Sequence, residues 1–397
     1  MTKLDFNIAL VAYSEIALKS EPVRRRLESL LAGQIGSALR MREIPFQKVH
    51  RTHGRIYIFT PNPVDAAAVA AQVFGVQYTA PALQVSTTLG DIKKSAVKVA
   101  EATLSEGQSF AVRARRVGEH PYTSRDLCVE VGNAVLRHLG KKLALKVSLN
   151  RPEAVIYIEA RERNAYIYTQ ILRGVGGLPF GSQGKIVALL SSETSSALAT
   201  WLMMKRGTCP LILSLDAPTH WGDKHRGTVL QLAGALRRYI PYRNFKVEIV
   251  PFDSIIEAVE KANRGLSLAV QQRAAVQMAC EVAKAEGALG LVVDATFGSS
   301  APQALKMLSL LTQVSERPLF HPLIGFQDDE LKKLAERVGL PEVSTTDHNP
   351  LTFRMLGDYG LVKSSEAERL EGKVGLKAKL REALNNRTAV KVQPEPS

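Results

Sequence analysis

The sequence predicts a mixed chain, part α+β and part α/β, with an antiparallel first half and a parallel, doubly wound second half. Three observations predict it. Short strands, helices and a hairpin pattern fill the first 172 residues, whereas apolar strands alternate with helices after Lys185. Between them, Arg173–Gly184 holds five glycines and a proline and reads as a linker. Charge divides at the same place. The 397 residues carry a net +14, and the stretch through Gly177 holds 25 Lys and Arg against 15 Asp and Glu. A concentrated basic excess favours a nucleic-acid partner over a solvated surface.

In order, Asn7–Ala12 reads as a strand and Pro22–Arg42 as a basic amphipathic helix containing Arg24, Arg25 and Arg26. Strands are expected at Val49 and Arg55–Phe59, then an Ala-rich helix over Val64–Val73 stopped near Gly75. Asp91–Leu104 is helical and Ser109–Ala114 a strand. A helix follows over Ser124–Leu139, capped by Ser124 and closed by Gly140. Ala154–Glu159 and Ala165–Tyr168 form a hairpin around Arg161–Asn164. Beyond the linker, strands are expected at Ile186–Leu190, Leu211–Leu215, Phe245–Val250 and Leu289–Val293, with helices including Gly227–Tyr239 and Ser267–Glu286. In such sheets ligands bind at the carboxyl ends of the strands. The tail after Ser364 is charged, then polar, and is expected to end in disorder.

Composition narrows the class. Hydrophobic residues make up 45%, and no run of 18 apolar residues is present, which argues against a membrane span. The start, Met1–Phe6, lacks the apolar core of a signal peptide. Cys128, Cys209 and Cys280 are isolated and odd in number. That suits a reducing cytoplasm and excludes a disulfide framework. His50 with His53, and His220 with His225, lack a matching ligand set, so surface histidines are expected rather than a metal site. Asp347–His348 reads as a turn. Asp216, Asp253 and Asp294 each follow an apolar strand, where they either line the ligand edge or cap helices.

One segment carries most of the functional question. Lys185–Leu190 is a strand, Ser191–Ser196 a Ser-rich turn, and Ala197–Arg206 a helix ending at Gly207. Strand, turn and helix are the usual arrangement for a phosphate at a helix N-terminus. Such turns need glycines for close backbone approach, yet this one has none and carries Glu193.

These residues resemble a known family. Val11–Lys19 followed by Arg24–Arg26 resembles the opening of tRNA 4-thiouridine synthetases, the tRNA sulfurtransferases. Phe74–Val76 and Phe110–Arg116 resemble their THUMP domain. Leu178–Lys185 and Trp201–Gly207 resemble the start of their PP-loop domain, and Phe320–Gly325 a later part of it. The resemblance runs collinearly from about residue 7 to about residue 345. It implies a ferredoxin-like domain over residues 1–65, a THUMP domain over 66–172, a linker over 173–184, a PP-loop domain over 185–365, and a charged, partly disordered tail over 366–397. It further implies ATP with Mg, tRNA as partner, a sulfur-donor protein and a homodimer. The implied RNA contacts are Lys19, Arg24, Arg25, Arg26, Arg113, Arg115, Arg116, Lys141 and Lys142, three basic groups suited to phosphate. The implied nucleotide pocket comprises Leu189, Leu190, Ser191, Ser196, Ser214, Leu215, Arg273, Gly298 and Gln303.

The catalytic half departs from the family where its chemistry resides. The family's loop reads Ser-Gly-Gly-x-Asp-Ser; here Ser192 and Glu193 replace the glycines and Ser195 the aspartate. Asp294–Ser299 keeps only Gly298 of a second family motif. The family's sulfur-carrying cysteine would fall near Leu351, and Glu342–Phe353 contains none. Persulfide chemistry requires a thiolate, which Ser and Thr cannot replace. The sequence therefore predicts tRNA binding with adenylation and thiolation lost or altered, and no catalytic residue is assigned. The alternatives are an active sulfurtransferase with a rearranged pocket and a nucleotide-sensing regulatory subunit.

Overall fold

The computed structural model describes residues 6–242, 244–297, 301–343 and 362–392. The chain divides into two compact units, Met1–Gly177 and Leu178–Ser397.

The first unit runs β1 (Ile8–Ala12), α1 (Glu21–Met41), β2 (Lys48–Thr52), β3 (Arg55–Phe59), α2 (Pro63–Ala71), β4 (Tyr78–Ser86), α3 (Leu89–Thr103), β5 (Ser109–Val117), α4 (Ser124–Leu139), β6 (Lys146–Val147), β7 (Ala154–Arg161), β8 (Asn164–Tyr168) and β9 (Leu172–Arg173). Its strands lie in the order β2-β3-β1-β4-β8-β7-β5-β6, with β9 beside β4. β4 has no counterpart in the sequence reading, yet it joins both halves of the sheet. Its first part pairs with β1 and its last part with β8. Pro81, in its middle, faces Ala9 of β1, while β9 pairs only at Tyr78 and Thr79 and β8 only from Leu83 onward. A proline lacking an N–H is tolerated at that locally open edge.

Alternation along each strand divides the apolar residues. Ile156, Ile158 and Ile167 pack with Ile92, Val99, Leu127 and Val131 of α3 and α4. On the opposite side Tyr57, Tyr166 and Tyr168 form a second cluster with Ile8 and Leu10. Helix α4 is capped by Thr123 rather than Ser124. The Thr123 hydroxyl accepts from the Asp126 N–H at 3.1 Å, and Asp126 accepts from the Thr123 N–H at 2.8 Å. That reciprocal box satisfies two otherwise unpaired donors.

The second unit runs β10 (Lys185–Leu189), α5 (Thr194–Lys205), β11 (Cys209–Asp216), α6 (Pro218–Trp221), α7 (Lys224–Arg237), β12 (Lys246–Pro251), α8 (Asp253–Ala262), α9 (Ser267–Glu286), β13 (Leu291–Val292), α10 (Ala301–Val314), β14 (Leu319–Phe320), α11 (Asp328–Arg337), α12 (Ser364–Lys373), α13 (Leu376–Asn385) and β15 (Thr388–Lys391). The strand order is β14-β13-β10-β11-β12-β15, parallel except for β15. Gly207, at φ +88°, ends α5; a Cβ there would stand 2.4 Å from the Ser182 hydroxyl.

Within the charged tail, residues 366–392 pack onto the second unit. Leu370, Leu376, Leu380 and Ala383 are buried in the same cluster as α8 and α9, and β15 pairs antiparallel with β12. Apolar residues three or four apart hold these otherwise charged helices in place.

Candidate functional sites

The basic residues singled out in the first unit lie on α1, on β2 and on the paired strands β5 and β7. Arg24, Arg25 and Arg26 lie on the first turns of α1, with Lys19 exposed just before it. The Arg25 guanidinium pairs with Glu21, and Arg24 approaches Glu28 at 3.8 Å. Arg51 of β2 donates to the Arg25 carbonyl at 3.3 Å. Together with His53 these residues border an open groove of about 600 Å³. Past His53, the Arg161 guanidinium at the end of β7 donates to the His53 carbonyl at 2.9 Å. Arg115 of β5 stands opposite Glu159 of β7, and Arg113 opposite Tyr157. Arg51, His53 and Arg161 thus join two of the predicted groups into one band.

A buried ion network holds this band in register. Glu159 is 2% exposed and bonds both Arg55 of β3, at 3.1 Å, and Arg161, at 2.5 Å. Arg55 also donates to the Tyr78 hydroxyl at 3.0 Å. Burial, the largest single influence, lowers the Arg55 pKa, but Glu159 together with Tyr78 and Tyr168 outweighs it and the net shift is upward.

The structure separates the remaining basic residues by face and by strand end. Arg113 and Arg115 share a face of β5, but Arg116, one residue on, points to the other face. Lys141 and Lys142 lie at the opposite end of the strand. Lys142 pairs there with Glu101 at 2.8 Å, and the chain returns as β6 beside Ser109. Arg51 and His53 had no sequence signal of their own, since only the β2–β3 pairing brings them beside α1.

The second site is the turn after β10. β10 lies between β11 and β13, so connections diverge to either side of it, and this is where a ligand crevice opens in such sheets. Leu189, Leu190, Ser191, Ser196, Ser214 and Leu215 are all buried at this edge, and the Leu190 N–H donates to the Leu213 carbonyl at 2.9 Å. The turn satisfies its own polar groups. The Ser191 N–H donates to the Ser196 hydroxyl at 3.0 Å, and the Glu193 N–H to the Ser191 hydroxyl at 3.2 Å. No residue from Ser191 to Ser196 has a positive φ. The alternating backbone that forms an anion nest is therefore absent from this turn.

The crevice is also bridged. Ser195 donates to the carboxylate of Asp294, two residues past β13, at 2.6 Å, and Asp294 is 1% exposed. The Thr194 hydroxyl donates to the Pro341 carbonyl at 2.9 Å and accepts from the Val343 N–H at 3.2 Å, fixing residues 341–343 across the start of α5. Beside it lies a cleft of about 300 Å³ whose lining includes Glu193, Asp328, Glu336 and Glu342. Its cation, Lys332, is 2.9 Å from Glu342. The carboxylates lining this cleft are of the wrong sign for nucleotide phosphates.

Arg273 is turned away from the predicted pocket. It is 1% exposed, lies 2.5 Å from Glu371 of α12, and donates to the Leu310 carbonyl at 3.2 Å, so it anchors the tail. Gln303 lies in α10. Gly298, Leu351 and Asp347–His348 lie outside the described residues.

His225, expected at the surface, is buried against Trp221 and bonds the Leu215 carbonyl at 3.0 Å. Asp253 opens α8 and lies 2.8 Å from the His220 ring. Among the described residues no cluster of three potential metal ligands occurs, and no helix is long and apolar enough to cross a membrane. Burial pushes the Cys209 thiol above its ordinary pKa, which opposes thiolate formation.

Comparison with known proteins fits this geometry. Residues 8–80 match the ThiI ferredoxin-like domain, 86–170 the THUMP domain, and 181–359 the thiamine biosynthesis protein (ThiI) family. A probable tRNA sulfurtransferase of Methanosarcina acetivorans is 35% identical over 342 residues, covering 85% of this chain and 82% of the relative. One from Thermococcus kodakarensis is 31% identical over 360 residues, covering 88% and 92%. Among solved structures, PH1313 from Pyrococcus horikoshii aligns at a TM-score of 0.64 with 27% identity over 84% of this chain and all of that one. A 4-thiouridine synthetase crystallised with RNA and bound ATP aligns at 0.79 with 24% identity, covering 98% of this chain and all of that one, a likeness of fold. By sequence, domain order and fold, this chain belongs to the ThiI family of tRNA sulfurtransferases.

Proposed function

We propose that this chain binds tRNA through its first unit and does not adenylate or thiolate it. The basic band supports the first part, because the exposed guanidinium groups of Arg26, Arg113 and Arg115 suit a phosphate backbone. The second part rests chiefly on the Ser195–Asp294 hydrogen bond at 2.6 Å, which joins the two turns a nucleotide would have to separate. The glycine-free turn and the missing family cysteine point the same way. ATP and Mg are accordingly not assigned a site, and no step is derived through them. Titration calorimetry of the full chain with Mg-ATP, with and without tRNA, tests this reading. Heat from tRNA but none from ATP is expected. A low-micromolar Kd for Mg-ATP would overturn the closed crevice and favour an active or nucleotide-sensing protein.

A further inference from the structure

The β2–β3 hairpin closes on a two-residue turn, His53–Gly54, between the paired Thr52 and Arg55. Two-residue hairpin turns favour a positive φ at the first of the two positions, because that twist matches the flanking strands. Here only the second, Gly54, has one, at +79°. The hairpin does not favour this turn by itself, and guanidinium groups hold both of its carbonyls. The His53 carbonyl accepts from Arg161 at 2.9 Å and the Gly54 carbonyl from Arg55 at 2.7 Å. Both guanidiniums also converge on Glu159 of β7, Arg161 at 2.5 Å and Arg55 at 3.1 Å. One buried carboxylate, through two arginines, thus carries the whole turn.

Arg161 sits in the segment that matches the THUMP domain, and the turn in the segment that matches the ferredoxin-like domain. The Arg161 side chain is 13% exposed, with Nε on Glu159 and a terminal nitrogen on the His53 carbonyl. It does not line the groove beside α1, whereas Arg51, Thr52 and His53 do. A guanidinium closed onto a carboxylate and a carbonyl has little left to offer a phosphate. We propose that Arg161 is a positioning residue for RNA binding. It touches no phosphate, but fixes the β2–β3 turn from the THUMP side, so that Arg51 and His53 are already in place when RNA arrives. This rests on the RNA-binding reading and adds to it a residue that acts only through the turn.

Fluorescence anisotropy of the full chain with a labelled tRNA transcript, over a salt series, tests it together with hydrogen exchange of the free protein. Three variants are compared. Arg161→Gln can still donate to Glu159 but is too short for the His53 carbonyl, Arg161→Lys keeps the charge but reaches only one partner, and Arg26→Ala removes an exposed guanidinium. A residue that acts without touching the ligand typically changes affinity by about two- to thirtyfold. Arg161→Gln should therefore weaken tRNA binding by about five- to tenfold, with Arg161→Lys in between and the salt slope of both as in the parent. Arg26→Ala should instead lower the slope by about 1. Amide exchange over His53–Arg55 should quicken in both Arg161 variants and not in Arg26→Ala. Circular dichroism checks the fold, and if Arg161→Gln is unfolded the milder Arg161→Lys carries the test. Three results would each overturn the positioning role while leaving tRNA binding intact. They are Arg161→Lys binding like the parent while Arg161→Gln loses slope, weaker binding without faster exchange at the turn, and unchanged binding in both variants. Failure of the parent chain to bind tRNA would instead reject the RNA reading itself.

Discussion

Glu159→Ala is expected to be among the most damaging single changes in the first unit, and the structure sets its size. Glu159 and Arg55 are 2% and 8% exposed, and Glu159 is the carboxylate that Arg55 bonds, with Arg161 on the same oxygen. Removing it strands a guanidinium away from water, which typically costs about 3–5 kcal/mol. Arg55 keeps the Gly54 carbonyl at 2.7 Å and the Tyr78 hydroxyl at 3.0 Å, so the lower end, about 3 kcal/mol, is expected. For a unit of this size each kcal/mol moves the melting temperature by about 2–4 °C, giving a fall of roughly 6–12 °C. Both tryptophans, Trp201 and Trp221, lie in the second unit. Tryptophan fluorescence should therefore melt as in the parent chain, while the near-ultraviolet tyrosine signal moves. Glu159→Gln, which keeps an acceptor, should recover part of the loss. A tyrosine transition within about 2 °C of the parent would refute the claim that this network fastens the sheet.

Other consequences can be measured directly. Replacing Arg113, Arg115 and Arg116 by Ala should weaken tRNA binding and lower the salt slope by about 1–2 rather than 3, because Arg116 faces away from the other two. An unchanged slope would remove this strand from the interface. Burial lowers the pKa of His225, with the Leu215 carbonyl and Asp216 opposing it only in part, and burial also lowers that of His321. Both rings stay neutral in the folded chain while the unfolded chain takes up protons, so stability should fall as pH drops below about 6.5 and level off beneath the depressed native values. Thermal melts of the parent and His225→Gln from pH 7.5 to 5.5 check this, since the variant should lose part of the slope.

Much of the fold was legible because its strands are apolar and its helices periodic. The run Lys185–Leu189 and the α9 helix Ser267–Glu286 emerge close to where their patterns place them. β4 was not legible, because Pro81 and the polar Gln84 break its pattern, and only the local pairing explains why a proline is tolerated there. The tail held a readable signal, Leu376, Leu380 and Ala383 at helical spacing, but its high charge obscured it. The altered turn was readable residue by residue. Its bridge to Asp294 was not, since 99 positions separate the partners and only the folded sheet brings the two turns together. Arg273 misled for a related reason. It was assigned by its match to a family pocket arginine, but here Glu371 of the tail supplies the opposing charge.

The central claim is that the family's RNA grip persists here without its sulfur chemistry. The most direct measurement is nucleoside mass spectrometry of bulk tRNA from a strain lacking its own 4-thiouridine synthetase and expressing this chain, with an active family member as control. The Ser195–Asp294 bridge, the absence of a cysteine from Glu342–Phe353 and the raised pKa of the Cys209 thiol predict no 4-thiouridine above the empty-vector level, while tRNA still co-purifies with the protein. Recovery of 4-thiouridine that is lost on Asp294→Ala would show that the Ser195–Asp294 pair works within a living active site, and would contradict the account at its core.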